Sequence, residues 1–190
     1  TASSSLLKYI NKNISLKGVE NALKWSDEAG IWTGLEIICG FPHEKDSDIA
    51  ETAAFLNKNR KYINSLYFNQ FGLRDGSILL EYPEVFGIEN IAVINQYANK
   101  NKELSDFHKY GYDEVGGLKW DDKKKQILSS YKTLLGNTYW TNNFPPYEYE
   151  HFLFFLYNKF SDKQKICNIF NKASLEKDNL FRKLLLDKKN

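Results

Sequence analysis

The sequence predicts an α/β fold whose first part consists of βα units and whose last part is a helical subdomain. Up to about residue 90, short apolar runs rich in β-branched residues alternate with amphipathic helical patterns, which is typical of a parallel sheet. From about residue 120 onward, helical periodicity replaces this alternation. We therefore expect two regions, residues 1–90 and residues 91–190.

The stretch WTGLEIICGFPHE, residues 32–44, is the centre of the first region. Its almost continuous apolar run, residues 33–39, predicts a strand that is buried on both faces. Gly40 ends the run at the carboxyl end of this strand, the edge at which α/β folds place their ligands. The glycine has two interpretations: a tight turn that needs a positive φ, or a backbone that must approach a flat ligand closely.

The remaining elements of the first region follow from capping signals and apolar spacing. A short helix begins at the serine run 3–5, and Ser15 caps a second helix. A third helix is predicted over residues 46–58. A second strand is predicted over residues 63–71, with Leu66 and Phe68 on one face and Gln70 continuing that alternation. Residues 78–88 are predicted to be extended.

The second region is predicted to be helical. An amphipathic helix over residues 121–135 closes at Gly136. Residues 149–160 predict a buried helix, residues 161–170 a polar one, and residues 175–186 a last helix. No internal repeat is present.

Composition excludes several classes of function. The net charge is +2 and lysines are interleaved with acidic residues, which argues against a nucleic-acid partner. No apolar stretch reaches the roughly 18 residues of a membrane span, and no secretory signal is present. Cys39 and Cys167 are far apart in the sequence, so we expect free thiols in a cytoplasmic protein. We expect no metal site, because His43, His108 and His151 are isolated.

Five short motifs occur in a fixed order across residues 1–90. They are the serines 3–5, NK at 11–12, AGI at 29–31, GFPHE at 40–44, and DGS at 75–77 with PEVFGI at 83–88. In this order and spacing they resemble the later half of the radical S-adenosylmethionine enzymes. The resemblance is strongest to the branch with an N-terminal cobalamin-binding domain. Beyond residue 90 it is only architectural.

The resemblance implies a fold, a chemistry and a set of cofactors. The fold is the C-terminal part of a partial (β/α) barrel, with the last three of six strands, followed by the helical subdomain. The chemistry is reductive cleavage of S-adenosylmethionine to a 5′-deoxyadenosyl radical, which abstracts hydrogen from an unknown substrate. The cofactors are S-adenosylmethionine and a [4Fe–4S] cluster, with cobalamin as a further cofactor of that branch.

The resemblance also implies candidate site residues. It places Ile38 and Gly40 along the adenine, and Ser3 after the strand whose end touches the ribose and carboxylate. The remaining cofactor-binding candidates are Glu36 of the strand and Phe41, Pro42 and Glu44 of the loop after it. Glu44 has two interpretations: a hydrogen bond within the loop, or a favourable charge at the N-terminus of the next helix.

Three further polar residues lie on the two predicted strands. Glu36 stands in the middle of an apolar strand, where a carboxylate costs several kcal/mol unless it is paired. Glu36 therefore either faces a polar barrel interior or forms an ion pair with a neighbouring Arg or Lys. Asn69 and Gln70 either point toward the substrate space or form a polar strand end. Cys39 is expected to be buried and inert.

The chain departs from the family pattern in one respect. It has no CxxxCxxC loop, whose three thiolates hold the cluster, so this chain alone cannot cleave the cofactor. The chain begins at Thr1, has no Met, and starts where the preceding strand of the family would end. We therefore expect a piece of a longer protein, and the other interpretation is a half-barrel reused without chemistry.

Two further expectations concern partners. A half-barrel exposes a strand edge, which is expected to pair with the missing N-terminal half or with a second copy of the chain. The alternative function is a non-catalytic protein-interaction module with Tyr- and Phe-rich contact patches.

Overall fold

The computed structural model describes residues 1–94, 109–137 and 154–162, together with residues 165, 166 and 168. Over these residues the chain is mixed α/β, with two small sheets and several helices. In chain order the elements are α1 (Ser4–Tyr9), α2 (Leu16–Glu28), β1 (Gly34–Cys39), α3 (Asp46–Asn59), a 3-10 turn (Arg60–Tyr62), β2 (Ser65–Gln70), α4 (Ile78–Glu81), β3 (Ile88–Val93), β4 (Tyr110–Glu114) and α5 (Trp120–Asn137).

Strands β1 and β2 pair in parallel, as the sequence predicts. Their register runs from Gly34 opposite Ser65 to Cys39 opposite Gln70, and α3 is the crossover helix between them. In the described residues this parallel sheet has two strands and does not close into a barrel.

The main core lies on one face of this sheet. Ile37 and Phe68 from the strands pack with Leu23 of α2, Leu56 of α3 and Leu134 of α5. Each such buried side chain contributes about 1.5–3 kcal/mol of hydrophobic stabilisation. The helices therefore cover the sheet from one side.

The opposite face of β1 is open. Gly34 and Glu36 are exposed, and Ile38 is half-buried. The prediction of a strand buried on both faces is therefore wrong, because the described helices that cover this sheet lie on one side of it. On β2 the predicted alternation is confirmed, since Leu66 and Phe68 are buried and Asn69 is exposed.

A second sheet follows, which the sequence did not predict. Strands β3 and β4 are antiparallel, with a register shift between Glu89 and Ala92. They enclose a small core formed by Leu73, Leu79, Ile88 and Tyr112. β3 runs across residue 90, and the division of the chain into residues 1–90 and 91–190 stays a prediction.

The prediction of an extended segment over residues 78–88 is wrong. The Ser77 hydroxyl accepts a hydrogen bond from the Leu79 amide at 3.3 Å and so caps the short helix α4. The sequence contains this cap, but the nearby Pro83 argues against a helix in the sequence pattern. Pro83 lies beyond the end of α4 and therefore does not interrupt it. Extended structure begins only with β3.

The capping predictions have mixed outcomes. Ser15 accepts from the Gly18 amide at 3.0 Å and caps α2 as expected. Ser3 occupies the N-cap position of α1, but its hydroxyl makes no capping bond. Helix α5 confirms the helix predicted over residues 121–135.

The last part of the chain is described only in places. Residues 154–160 are helical. The prediction that this helix is buried is wrong for Phe154 and Tyr157, which are exposed, and holds for Leu156. The helix predicted over residues 175–186, half of the residues of the helix predicted over 161–170, and His108, His151 and Cys167 lie outside the described residues. No described helix combines the length and hydropathy that crossing a membrane requires.

Candidate functional site: a groove on the open face of the parallel strands

The open face of β1 and β2 borders a groove of about 720 Å³. Because the two strands are parallel, their carboxyl ends meet at one edge of the sheet, where α/β folds place their ligands. The walls come from the end of α1, the two strand ends, the loop after each strand, and α4. The lining residues are Ile10, Asn11, Lys12, Glu36, Ile38, Phe41, Asn69, Gln70, Phe71, Gly72, Arg74, Ile78, Leu79 and Phe86.

Five of the nine predicted site residues line this groove, and two of them form a polar pair. The Asn69 amide donates a hydrogen bond to Glu36 Oε1 at 2.5 Å. Glu36 is exposed to the groove, so its carboxylate does not bear the cost of burial. Of the two interpretations of Glu36, this placement favours a polar interior.

Gln70 lines the groove at the end of β2. Its Oε1 atom is buried and has no hydrogen-bond partner within the described residues. A buried acceptor without a donor costs about 1–3 kcal/mol. The two interpretations of Gln70, a side chain that points toward the substrate space and a polar strand end, both stay predictions.

The apolar wall of the groove is aromatic. The rings of Phe41 and Phe71 lie 4.9 Å apart between centroids, and half-buried Ile38 lines the same groove. Apolar side chains beside a few polar groups are typical of small-molecule sites. The arrangement suits a flat heterocycle with polar substituents.

The other four predicted residues, Ser3, Gly40, Pro42 and Glu44, are buried and do not line the groove. Gly40 has a φ of +89°, and a Cβ atom there would lie 2.7 Å from Cγ1 of Ile127 on α5. The structure thus favours the turn interpretation of this glycine, with a helix rather than a ligand at close approach. The Gly40 amide already donates to the Glu44 carboxylate.

Glu44 acts within its own loop. One carboxylate oxygen accepts from the Gly40 amide, and the other is buried without a hydrogen-bond partner in the described part of the chain. Burial raises the pKa of Glu44 to about 7, and the Gly40 amide and Lys123 oppose this rise. The loop interpretation of Glu44 therefore fits better than a charge that decorates the next helix.

Ser3 connects the start of the chain to α3. Its hydroxyl donates to Asp48 Oδ1 at 2.5 Å, and Ser5 donates to the same atom at 2.9 Å. Burial would raise the pKa of Asp48, but the hydrogen bonds from Ser3 and from the Lys45 amide hold it below its usual value. In this structure Ser3 therefore joins the start of the chain to α3 through Asp48.

Lys123 is a functional residue that the sequence did not predict. This side chain is fully buried, 2.8 Å from Glu114 Oε1 and 2.6 Å from the Phe41 carbonyl oxygen. The signal was present, because Lys123 lies four residues before the buried Ile127 and therefore on the apolar face of α5. The sequence likewise did not predict the groove residues Lys12 and Arg74, for which the local pattern carries no signal.

The residues present do not fit a [4Fe–4S] cluster. The chain has two cysteines, whereas the implied cluster needs three thiolates. Cys39 is buried as expected, and burial raises its pKa to about 12, which disfavours the thiolate that binds metal. Among the described residues, no three His, Cys, Asp or Glu side chains are grouped to hold a metal ion.

Fold and groove together define an α/β unit with a candidate ligand site at the ends of two parallel strands. No protein-family profile matches the chain, and no solved structure shows significant similarity to it. The chain is similar to the threonylcarbamoyladenosine tRNA methylthiotransferase of Xenopus laevis, with 29% identity over 147 residues. The matched region covers 75% of this chain and 24% of that protein. The chain therefore spans about a quarter of the length of this relative.

Proposed function

We propose that this chain is the C-terminal part of the catalytic barrel of a radical S-adenosylmethionine enzyme, and that its groove receives the nucleoside portion of S-adenosylmethionine. The similarity to the tRNA methylthiotransferase supports a relationship to the radical S-adenosylmethionine superfamily. The order of the sequence motifs supports the same relationship. The observation that carries the proposal is the open, partly polar face of the parallel sheet.

That open face is unusual for parallel strands, which are normally covered on both sides. Here α2, α3 and α5 cover one face, and the other face presents Glu36 and Asn69 to a groove. In the wall of a β/α barrel, the helices cover the outer face of the parallel sheet. Its inner face carries polar side chains where it borders a ligand site. A barrel that continues into a preceding segment would enclose this groove.

The groove residues suit the nucleoside in the following way. Ile38 and Phe41 supply apolar surface for the heterocycle, and the Asn69 amide is a polar group beside it. Glu36 accepts from a hydroxyl. Gly40, Pro42 and Glu44 belong to the loop that carries Phe41, and Ser3 binds Asp48 of α3. This chain lacks the three thiolates of a cluster loop, so a cluster that would supply the electron for cofactor cleavage would need its ligands from a segment outside this chain.

The finer assignments stay predictions. They include the cobalamin-containing branch, a cytoplasmic location, and pairing of the exposed strand edge with an N-terminal half or a second copy. The relative is named as acting on tRNA. For this chain the interleaved charges, with a net value of +2, still predict no nucleic-acid partner of its own.

The test uses the longest open reading frame that contains this chain, purified anaerobically and reconstituted with iron and sulfide. We expect bound iron and sulfide, and release of 5′-deoxyadenosine from S-adenosylmethionine under reducing conditions. The visible spectrum of the same preparation reports on cobalamin. A colourless protein without a CxxxCxxC segment would overturn the proposal and favour the non-catalytic module.

Matched variants locate the nucleoside. Ile38→Ala removes part of the groove wall and should weaken S-adenosylmethionine binding by about tenfold, which corresponds to about 1.4 kcal/mol. Ile31→Ala is the control, because Ile31 is 57% exposed and does not line the groove. Calorimetric titration measures both affinities, and equal values would place the cofactor elsewhere.

A further inference from the structure

The loop that carries Phe41 into the groove is held from beneath by a distant part of the chain. Lys123 of α5 donates to the carbonyl oxygen of Phe41 at 2.6 Å. Glu114 at the end of β4 accepts from the amide of His43 at 2.7 Å. These contacts bring together residues 71 or more positions apart in the sequence.

A third contact completes the hold on the loop. Gln126 Nε2 donates to the Glu44 carbonyl oxygen at 2.9 Å, and Ile127 packs against Gly40 so closely that no Cβ atom fits there. Segment 114–127 thus engages four of the five loop residues, three of them through their backbone. Backbone contacts determine the loop conformation independently of the loop side chains.

The side chains that make these contacts are themselves satisfied. The Lys123 ammonium group has three acceptors: Glu114 Oε1 at 2.8 Å, Gln126 Oε1 at 2.8 Å and the Phe41 carbonyl. Glu114 Oε2 accepts from the Leu118 amide at 3.1 Å. An ammonium group has three hydrogen-bond donors, so none is left over. A fully satisfied buried network rigidifies its surroundings.

The loop needs such an external hold. His43 is not a glycine, yet it adopts a φ of +58°, a region that costs energy and persists only when surrounding contacts impose it. Its amide is bound by Glu114, and its ring Nε2 lies 2.9 Å from the Gly87 carbonyl oxygen. The conformation of the loop is therefore imposed by residues from other elements.

A buried ion pair is a poor way to gain stability, because desolvation offsets much of its attraction. Lys123 and Glu114 are both buried, and replacing such a pair with apolar residues of similar volume is often neutral or stabilising. What an apolar pair lacks is a donor for the Phe41 carbonyl and an acceptor for the His43 amide. The pair is thus suited to directing the loop.

We propose that Lys123, Glu114 and Gln126 are positioning residues that hold loop 40–44, so that Phe41 faces the groove and the groove binds its ligand tightly. The ligand part of this inference rests on the proposed function. Segment 114–127 is then part of the binding site, although it does not line the groove.

The first test is amide hydrogen exchange of the full chain, followed by NMR. Replacing the lysine in Lys123→Met should speed exchange at Gly40 and His43 by on the order of a hundredfold. The β2 amides Leu66 and Phe68 report the loss of global stability in this variant, so the decisive comparison of loop and β2 is made in the milder variant Gln126→Leu. Lys125→Met is the matched control on the same helix, because Lys125 is 77% exposed and pairs with Asp122.

A milder variant keeps the test decisive if Lys123→Met does not fold. Gln126→Leu removes one loop contact while the ion pair remains, and should speed exchange in loop 40–44 by about tenfold. Loop exchange that is unchanged in Gln126→Leu would overturn the proposal. Equal acceleration in loop and β2 would also overturn it, because the residues would then contribute only global stability.

The second test measures S-adenosylmethionine affinity of the reconstituted parent protein that carries Gln126→Leu. We expect binding weakened by about tenfold, with a normal β2 exchange rate. Unchanged affinity with a loosened loop would overturn the link between loop and groove. If the unmodified parent binds no S-adenosylmethionine, the proposed function fails, and the exchange experiment still decides whether these residues position the loop.

Discussion

The molecule contains two polar clusters of opposite character. In the groove, Glu36 is exposed and accepts a hydrogen bond from a neutral amide, that of Asn69. Beneath the loop, Glu44 and Glu114 are 3% and 4% exposed, and Glu114 pairs with a fully buried Lys123. The first cluster is open to a ligand, whereas the second is closed to solvent.

This difference in exposure separates the role of the groove carboxylate, Glu36, from that of the buried carboxylates, Glu44 and Glu114. An exposed carboxylate keeps its hydration and can exchange water for a ligand at little cost. A buried carboxylate depends on its partners, so removing one partner leaves an uncompensated charge. We therefore assign the groove cluster to ligand contact and the buried cluster to loop geometry.

The largest expected effect that tests this comparison is loss of the buried cation. Lys123→Met should lower the free energy of unfolding by about 3–5 kcal/mol, because the Glu114 carboxylate stays buried without its partner. Urea denaturation measures this change. Lys125→Met should change the value by no more than about 0.5 kcal/mol. Similar stabilities of the two variants would contradict the distinction between the clusters.

The next effect concerns the pH dependence of stability through Glu44. Burial raises the pKa of Glu44 from its ordinary value of 4.5 to about 7, so the folded state binds more protons than the unfolded state between these values. Stability should therefore fall as pH rises from 4.5 to about 7, with a contribution of about 3 kcal/mol from this residue.

Glu44→Gln tests that contribution, because an amide does not titrate. Urea unfolding is measured at pH 5 and pH 7.5, which span most of the predicted change. Between these two values, Glu44→Gln should lose less unfolding free energy than the unmodified chain. Glu36→Gln is the matched control and should keep the pH dependence of the unmodified chain. A Glu44→Gln protein with the original pH dependence would contradict the assignment.

A smaller effect is expected at the start of the chain. Ser3→Ala removes the buried hydroxyl that donates to Asp48 and should cost about 1–2 kcal/mol of unfolding free energy. Ser5→Ala removes a donor to the same oxygen from an exposed position, and should cost less. If Ser3→Ala weakens S-adenosylmethionine binding without loss of stability, Ser3 contacts the ligand instead.

The smallest effect on stability is expected in the groove. Glu36→Gln should change the unfolding free energy by no more than about 0.5 kcal/mol, because the side chain is exposed. It should still weaken S-adenosylmethionine binding by the parent protein several-fold, since a carboxylate accepts stronger hydrogen bonds than an amide. Calorimetric titration measures the affinity. The control is Glu51→Gln, at an exposed position of α3. Unchanged affinity would remove Glu36 from the site.

Much of the fold could be predicted from local patterns. Apolar runs and capping residues located β1, β2, α3 and α5, because strands and helices have fixed side-chain periods. The pairing of β3 with β4 escaped prediction, since it joins segments separated by residues 95–108. The open face of β1 also escaped, because an apolar sequence does not tell how many sides of a strand are covered.

The candidate site divides in the same way. By itself the sequence determined which residues stand at the carboxyl ends of the two parallel strands, and Glu36, Ile38, Phe41, Asn69 and Gln70 do border one groove. Only the tertiary structure decided that Glu44 is buried beneath the loop and that Lys123 reaches the Phe41 carbonyl. The reason is physical: the environment of a charge depends on packing between distant segments, whereas strand position depends on the local alternation of side chains.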